Sequence, residues 1–373
     1  MVSDYQEYNE ARLEVTIPAE EEVELTMEYS GFPQESMPTM QGGKELSSEY
    51  LCLENSALSP RVMNVMPGEA GYPAEIEITL PETMIAIPFG SSQAEVIAEN
   101  TDGTKTWRYE ANSGGGILYA GDYICEQIEA GGMTIEFYYG RKHQAVMEEA
   151  GAVDAVKAVV DYCTEHYGKL SYGTGDTLKL IQSRVAGGGY AVGGASLLDE
   201  ADFTIANLED TSKGAVPGEI FIHELVHQWW GLGNMFDDSD GSPWSSEGLT
   251  VYTTYRIVKE LYGADYAQKY YVDQWQQVVD DYYLNFYVRY PEYLEMLPEA
   301  ERLNVVGNLS GVRRYNEMPL KILKAEQLVG GEAAMDQILY DLFNRELDPI
   351  YPYLTYQEFL DACHLTEEDL NLG

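Results

Sequence analysis

From Leu13 to about Gly140 apolar and polar residues alternate: Leu13, Val15 and Ile17; Val23, Leu25, Met27 and Tyr29; Ile76, Ile78 and Leu80; Ile135, Phe137 and Tyr139. A period of two buries one face of each strand, so this half is expected to be an all-β sandwich. Asp102-Gly103, between the runs at 96–98 and 107–109, predicts a hairpin. Past Arg141 the period lengthens. Val146, Ala150, Val153, Val156, Val159, Val160 and Cys163 fall at helical spacing across 144–167, which Gly168 stops. A boundary near 142 follows, giving expected domains 1–142 and 143–373. Short strands are expected at 178–185, 190–198 and 203–208, and helices at 217–231, 246–262 and 312–329. The fold class is therefore α+β, a β-sandwich domain followed by a mainly helical one.

Composition sharpens this picture at two points. The 373 residues are 45% hydrophobic and 12% aromatic, ample for packed cores in two domains. Against 22 Lys+Arg stand 63 Asp+Glu, a formal net charge of −41. Phosphate backbones and anionic membrane surfaces would be repelled, which excludes nucleic acid as an expected partner. Such a surface suits an extracytoplasmic or cell-surface setting, with a cytoplasmic one left open. Cys52, Cys125, Cys163 and Cys363 form no Cys-x-x-Cys pair and are expected to be buried free thiols, two intradomain bridges being the alternative. No apolar run approaches the roughly 18 residues of a membrane span, so no direct membrane insertion by this segment is expected. The acidic start, Met1 to Arg12, lacks the features of a signal peptide. The chain is then either cytoplasmic or a processed or excised segment.

Chemistry concentrates in His223-Glu224-Leu225-Val226-His227, inside the helix expected at 217–231. Residues four apart share a helical face, so both imidazoles can reach one ion, while Glu224 lies about 100° round from His223. That geometry suits zinc hydrolysis. A catalytic zinc commonly takes three protein ligands and leaves a position for water. Glu247, in Trp244-Ser245-Ser246-Glu247-Gly248, opens the next helix and can face the first. It is the favoured third ligand, although an acid in a first turn can also serve only the helix dipole.

HELVHQWWG at 223–231 followed by WSSEG resembles the gluzincin zinc aminopeptidases, which include alanyl aminopeptidases and leukotriene hydrolases. The resemblance covers most of the chain. PAEIEITLPETMIAIP, 73–88, is similar to the end of that family's N-terminal β-domain, and 312–328 to the helix bearing its catalytic tyrosine. It implies a thermolysin-like catalytic domain with one zinc held by His223, His227 and Glu247. It further implies Glu224 as general base and Tyr315, in RRYNEMPLKIL, as the hydroxyl that bonds the tetrahedral intermediate of a peptide substrate. That type of donor is worth about 10² to 10³ in rate.

Three departures from the family pattern stand out. Nineteen residues separate His227 from Glu247, one more than usual, which points to an insertion in the loop near Asp237 to Asp240. The segment whose glutamate grips the substrate's α-amino group is replaced by Gly187-Gly188-Gly189-Tyr190-Ala191-Val192-Gly193-Gly194, with Tyr190 at the glutamate's place. Gly188, Gly189, Tyr190 and Gly193 are expected to line the substrate strand, since glycine lets another backbone approach. Asp199, Glu200, Glu219 and Glu317 are the candidate substitutes for the missing carboxylate. The family's large C-terminal helical domain is also missing, as in truncated bacterial members that form extracytoplasmic parts of membrane proteins. Attachment to a membrane protein is an expectation on that ground. The expected activity is an aminopeptidase; the alternatives are a zinc peptidase that does not require a free N-terminus, and a catalytically silent binding or scaffold domain.

Overall fold

The computed structural model describes residues 26, 28, 45–46, 50–53, 73–88, 92–112, 118–170, 176–183, 189–200, 218–237 and 243–372. The strand candidates between Leu13 and Tyr29 and at 203–208 lie outside them. The chain forms two compact units, Met1–Tyr123 and Ile124–Gly373. In the first, the strands are β1 (Glu45–Leu46), β2 (Tyr50–Leu53), β3 (Pro73–Pro81), β4 (Ile85–Pro88), β5 (Glu95–Glu99), β6 (Thr104–Asn112) and β7 (Leu118–Gly121). They build one sheet ordered β1-β2-β7-β4 and another ordered β3-β6-β5. The alternation sets the register: Ile76 pairs with Tyr109 and Ile78 with Trp107. Their side chains pack on a core of Leu51, Leu80, Met84, Ala86, Leu118 and Ala120. The expected hairpin at Asp102-Gly103 joins β5 to β6, with a register shift between Val96 and Ala98.

The second unit begins in β8 (Tyr123–Ala130), which with β9 (Met133–Gly140), β10 (Thr177–Ser183), β11 (Gly189–Val192) and β12 (Ala195–Asp199) makes a sheet ordered β11-β12-β10-β9-β8. The contact division thus falls at Tyr123, not near 142. Both β8 and β9 carry the period-two pattern of the first unit but belong to this sheet, so the change of period marks the first helix rather than the domain edge. Strand β10 runs parallel to β9 and β12, while β11 is the antiparallel edge strand. The single strand expected at 190–198 is a tight hairpin instead. Gly194 turns it at φ +83°, a conformation L side chains rarely adopt.

Ile135, Phe137 and Tyr139 of β9 join the helical core. The longer α-helices are α1 (Gln144–Ala150), α2 (Ala152–Tyr167), α3 (Gly218–Val226), α4 (Ser246–Tyr262), α5 (Asp273–Leu284), α6 (Glu299–Val312), α7 (Met318–Val329), α8 (Glu332–Phe343) and α9 (Tyr356–Cys363). Gly151, in the left-handed region at φ +65°, splits the helix expected at 144–167 into α1 and α2. Similarly, 312–329 is not one regular helix: Arg313–Glu317 forms a π-helical turn before α7. The core between sheet and helices includes Val156, Val160, Phe221, Leu225, Trp230, Tyr252, Met318 and Ile322. All four cysteines are free. Among the described residues no helix is long and apolar enough to cross a membrane.

Candidate metal centre

Helix α3 is amphipathic in a way that fixes its chemistry. Phe221, Ile222, Leu225 and Val226 are at most 1% exposed and point into the core, leaving His223 and His227 half-buried on another face. The helix ends at Val226, yet His227 N–H still bonds the His223 carbonyl at 3.1 Å, so the two imidazoles remain one turn apart. Their Nε2 atoms lie 3.1 Å from each other. Glu247, in the first turn of α4, places Oε2 at 3.2 Å from His223 Nε2 and 3.3 Å from His227 Nε2. These three acceptor atoms form a nearly equilateral triangle. Tetrahedral ligands at about 2.0–2.1 Å from zinc would stand about 3.3–3.4 Å apart, so the three donors fit one face of such an ion. Glu247 Oε2 is buried without a hydrogen bond of normal geometry. A cation at this place would satisfy it.

The surroundings orient these groups. His227 Nδ1 lies 3.0 Å from the Trp230 carbonyl and 3.2 Å from Thr250 Oγ1. Since the carbonyl can only accept, Nδ1 carries the proton and Nε2 keeps its lone pair for a metal. Burial works to raise the Glu247 carboxyl, but the two imidazoles outweigh it and hold it well below the ordinary carboxylate range. Gly248, next to it, allows close packing of α4 on α7: a Cβ there would stand 2.5 Å from Met318 Cγ.

Glu224 is 6% exposed, and burial raises its carboxyl despite the opposing pull of both histidines. Tyr315 sits on the π-helical turn, its ring stacked on His223 with centroids 6.3 Å apart. Desolvation and the neighbouring Glu247 raise its phenol far above the usual value. It is therefore a neutral O–H donor at the mouth of the site. π-Turns of this kind often mark functional positions.

Of the residues expected to line the substrate strand, Gly188 lies outside the described residues. Gly189 opens β11 directly against Glu224: a Cβ there would be 2.2 Å from Glu224 Cγ. Tyr190 is half-buried on the same strand, and Gly193 is exposed in the hairpin turn. The carboxylates proposed from sequence proximity are differently disposed. Glu317 is 2% exposed and engaged by Arg313 at 2.7 Å and Lys321 at 3.5 Å. Glu200 pairs with Lys142, Asp199 ends β12, and the Glu219 side chain lies outside the described ones. Sequence reasoning missed Thr250, Ser196 and Gln228, which touch the motif from neighbouring elements. Only the i+4 spacing of Gln228 from Glu224 could have drawn notice to one of them.

No family model matches the chain, and no curated protein matches it. Solved structures do resemble it. An M1 zinc metallopeptidase from Deinococcus radiodurans is 17% identical, with a TM-score of 0.51 over 91% of this chain and 72% of that one. A single-site variant of an M1 zinc metallopeptidase from that organism, bound to Tyr-Ser-Ala, gives 15% identity and a TM-score of 0.52 over 91% and 73%. Native yeast LTA4 hydrolase is 12% identical over 78% of this chain and 43% of its own, with a TM-score of 0.49. The chain spans 63% of the length of another Deinococcus M1 structure. The arrangement of a β-sheet N-terminal region and a helical C-terminal region is thus the fold of M1 zinc metallopeptidases.

Proposed function

We propose that this chain is a zinc metallopeptidase that hydrolyses peptide bonds, with a sandwich-like first unit and a thermolysin-like second one. The observation that carries the reading is the triangle of His223, His227 and Glu247 donors with Glu224 buried beside it and Tyr315 stacked on His223. His223, His227 and Glu247 would hold the ion. Zinc in such a site lowers the pKa of water and polarises a carbonyl. Glu224 accepts the proton of the attacking water and passes it to the leaving amine, a task suited to a buried carboxylate with a raised pKa. The Tyr315 hydroxyl donates to the oxygen that becomes negative in the transition state. Edge strand β11 supplies the rail along which an extended peptide lies antiparallel. The peptide held by the Deinococcus variant supports this substrate class.

Aminopeptidase action is the starting expectation, and Tyr190 argues for a relaxed form of it. A free α-amino group is a cation that needs a carboxylate when desolvated. Tyr190 offers none, Glu317 is spoken for by Arg313 and Lys321, and Glu200 by Lys142. A weakened dependence on a free N-terminus follows, with residual aminopeptidase activity on small substrates, Asp199 and Glu219 being the remaining candidates to replace the missing carboxylate. Digestion of matched peptides with free and acetylated N-termini, with and without a zinc chelator, tests both parts. Cleavage of both forms that the chelator abolishes is expected. Chelator-resistant cleavage, or none with zinc present, overturns the peptidase reading; complete protection by acetylation overturns only the relaxed specificity.

A further inference from the structure

Gln228 follows the second histidine of the motif and is 1% exposed. It lies in the turn just past the end of α3, its N–H bonding the Leu225 carbonyl at 3.0 Å, and its side chain meets the β11–β12 hairpin. Its Oε1 accepts from the Gly194 N–H at 3.1 Å. Its Nε2 donates to the Ala195 carbonyl at 3.2 Å and to Ser196 Oγ at 3.1 Å. Ser196 Oγ in turn donates to the Glu224 carbonyl at 2.8 Å. From the sheet side, Lys179 N–H bonds the Gly194 carbonyl at 2.9 Å. A buried amide is tolerated only when its donors and acceptor are satisfied. Here the oxygen and both N–H groups are used, two of them on the turn backbone itself and the third on Ser196. An apolar side chain of the same size would fill the space without holding the turn.

The β11–β12 hairpin is therefore held against the motif segment at two places, by the close approach of Gly189, at the start of β11, to Glu224 and by the Gln228 bonds to Gly194 in the turn and to Ala195 and Ser196 of β12. We infer that Gln228 is a positioning residue for catalysis: it fixes the separation of edge strand β11 from helix α3, and so the depth at which an extended peptide passes Glu224 and the metal donors. The catalytic half of this inference rests on the peptidase reading. Losing the tie lets the strand ride outward, which weakens peptide binding while the histidines and Glu247, held by other contacts, keep their places.

Gln228→Met tests it. The variant is expected to retain one zinc per chain and to exchange the Gly194 amide hydrogen much faster than the wild type. For a hexapeptide, kcat/KM should fall roughly 10- to 100-fold, mostly through KM, as misplacement of a bound substrate does. For a one-residue chromogenic amide too short to lie along β11, it should change by less than about threefold on the same basis. Gln228→Glu keeps the acceptor for Gly194 N–H and should fall between. Should Gln228→Met not accumulate as folded protein, Ser196→Ala removes the hydroxyl that accepts from Gln228 Nε2 and donates to the Glu224 carbonyl, leaves the Gln228 bonds to Gly194 and Ala195, and should show the same pattern at smaller amplitude. Unchanged exchange at Gly194, or an equal loss of kcat on both substrates with KM constant, overturns the inference. If the wild type binds zinc yet cleaves neither substrate, the peptidase reading fails, while the exchange comparison still decides whether Gln228 holds the strand.

Discussion

At Gly189 the missing side chain is what lets a backbone cross Glu224, because even one methyl group would stand 2.2 Å from its Cγ. Gly189→Ala should therefore leave zinc content intact and lower peptide turnover at least tenfold, by displacing either the strand or the carboxylate; peptide assays beside metal analysis check this. In the proposed mechanism Glu224→Gln removes the proton acceptor and leaves His223, His227 and Glu247 untouched. It is expected to keep zinc and lose about 10² to 10⁴ in kcat. Tyr315→Phe should fall by about 10² to 10³, also in kcat, as a donor to a developing oxyanion does. An effect of Tyr315→Phe confined to KM would exclude it from the transition state. At this scale the meeting of His223, His227 and Glu247 was legible, because helical spacing makes the histidines converge and the following helix start brings an acid. Gln228 and Thr250 were not, since their meaning depends on a strand and a carbonyl that adjoin them only in the folded chain.

Between elements, packing decides where the donors stand. Gly248 lets α4 lie close on α7, and Gly248→Ala would press a methyl group to within 2.5 Å of Met318 Cγ. Overpacking of this kind costs about 1–3 kcal/mol, so a lowered Tm with weakened zinc binding is expected, read by calorimetry and metal titration. Away from the site, α2, α4, α7 and α8 meet in a charged network. Arg256, 5% exposed, bonds Asp336 and Glu326 at 3.1 Å each, and His166 Nδ1 lies 3.0 Å from Asp336. The hydrogen bond to Asp336 raises the His166 pKa against partial burial. A raised folded-state value means the stabilisation is fully present below the unfolded value of about 6.5 and is lost as pH climbs through the folded one. Wild-type Tm should thus decline above about pH 6.5 relative to a His166→Gln variant, in parallel melts across that range. Four helical stretches were readable from their apolar spacing, α4 to the residue, while the spans of α5, α6 and α8 were not. The break at Gly151 and the π-turn at Arg313–Glu317 were not, since a helical period persists through both.

Over the whole molecule, 63 acidic against 22 basic residues set a strongly negative field. Peptides rich in Lys or Arg should reach the site faster at low salt. Their kcat/KM is expected to drop between about 0.01 and 0.15 M salt, where the screening length shrinks from about 30 to 8 Å, while that of neutral peptides stays level. The change of period near 142 marks the start of the helices. The division between the two units was not legible in it, because β8 and β9 look like any other alternating strands and only pairing with β10 assigns them to the second unit.

The π-turn before α7 also aims a side chain. Upstream, α6 has no buried residue; downstream, α7 buries Met318, Ile322 and Ala325 in the core. A π-turn takes up one residue more than an α-helical turn while the flanking segments keep their bearing, so what it sets is the direction of its own residues, Tyr315 among them. Deleting Asn316, beside Tyr315, would return the turn to regular pitch and re-aim Tyr315 while α6 and α7 keep their bearings. Tyr315 would then leave the His223 ring while the fold of α7 survived. The angular bearing of Tyr315 is thus written in the residue count of one turn, and a chain one residue shorter would be expected to bind zinc as before and turn over like Tyr315→Phe.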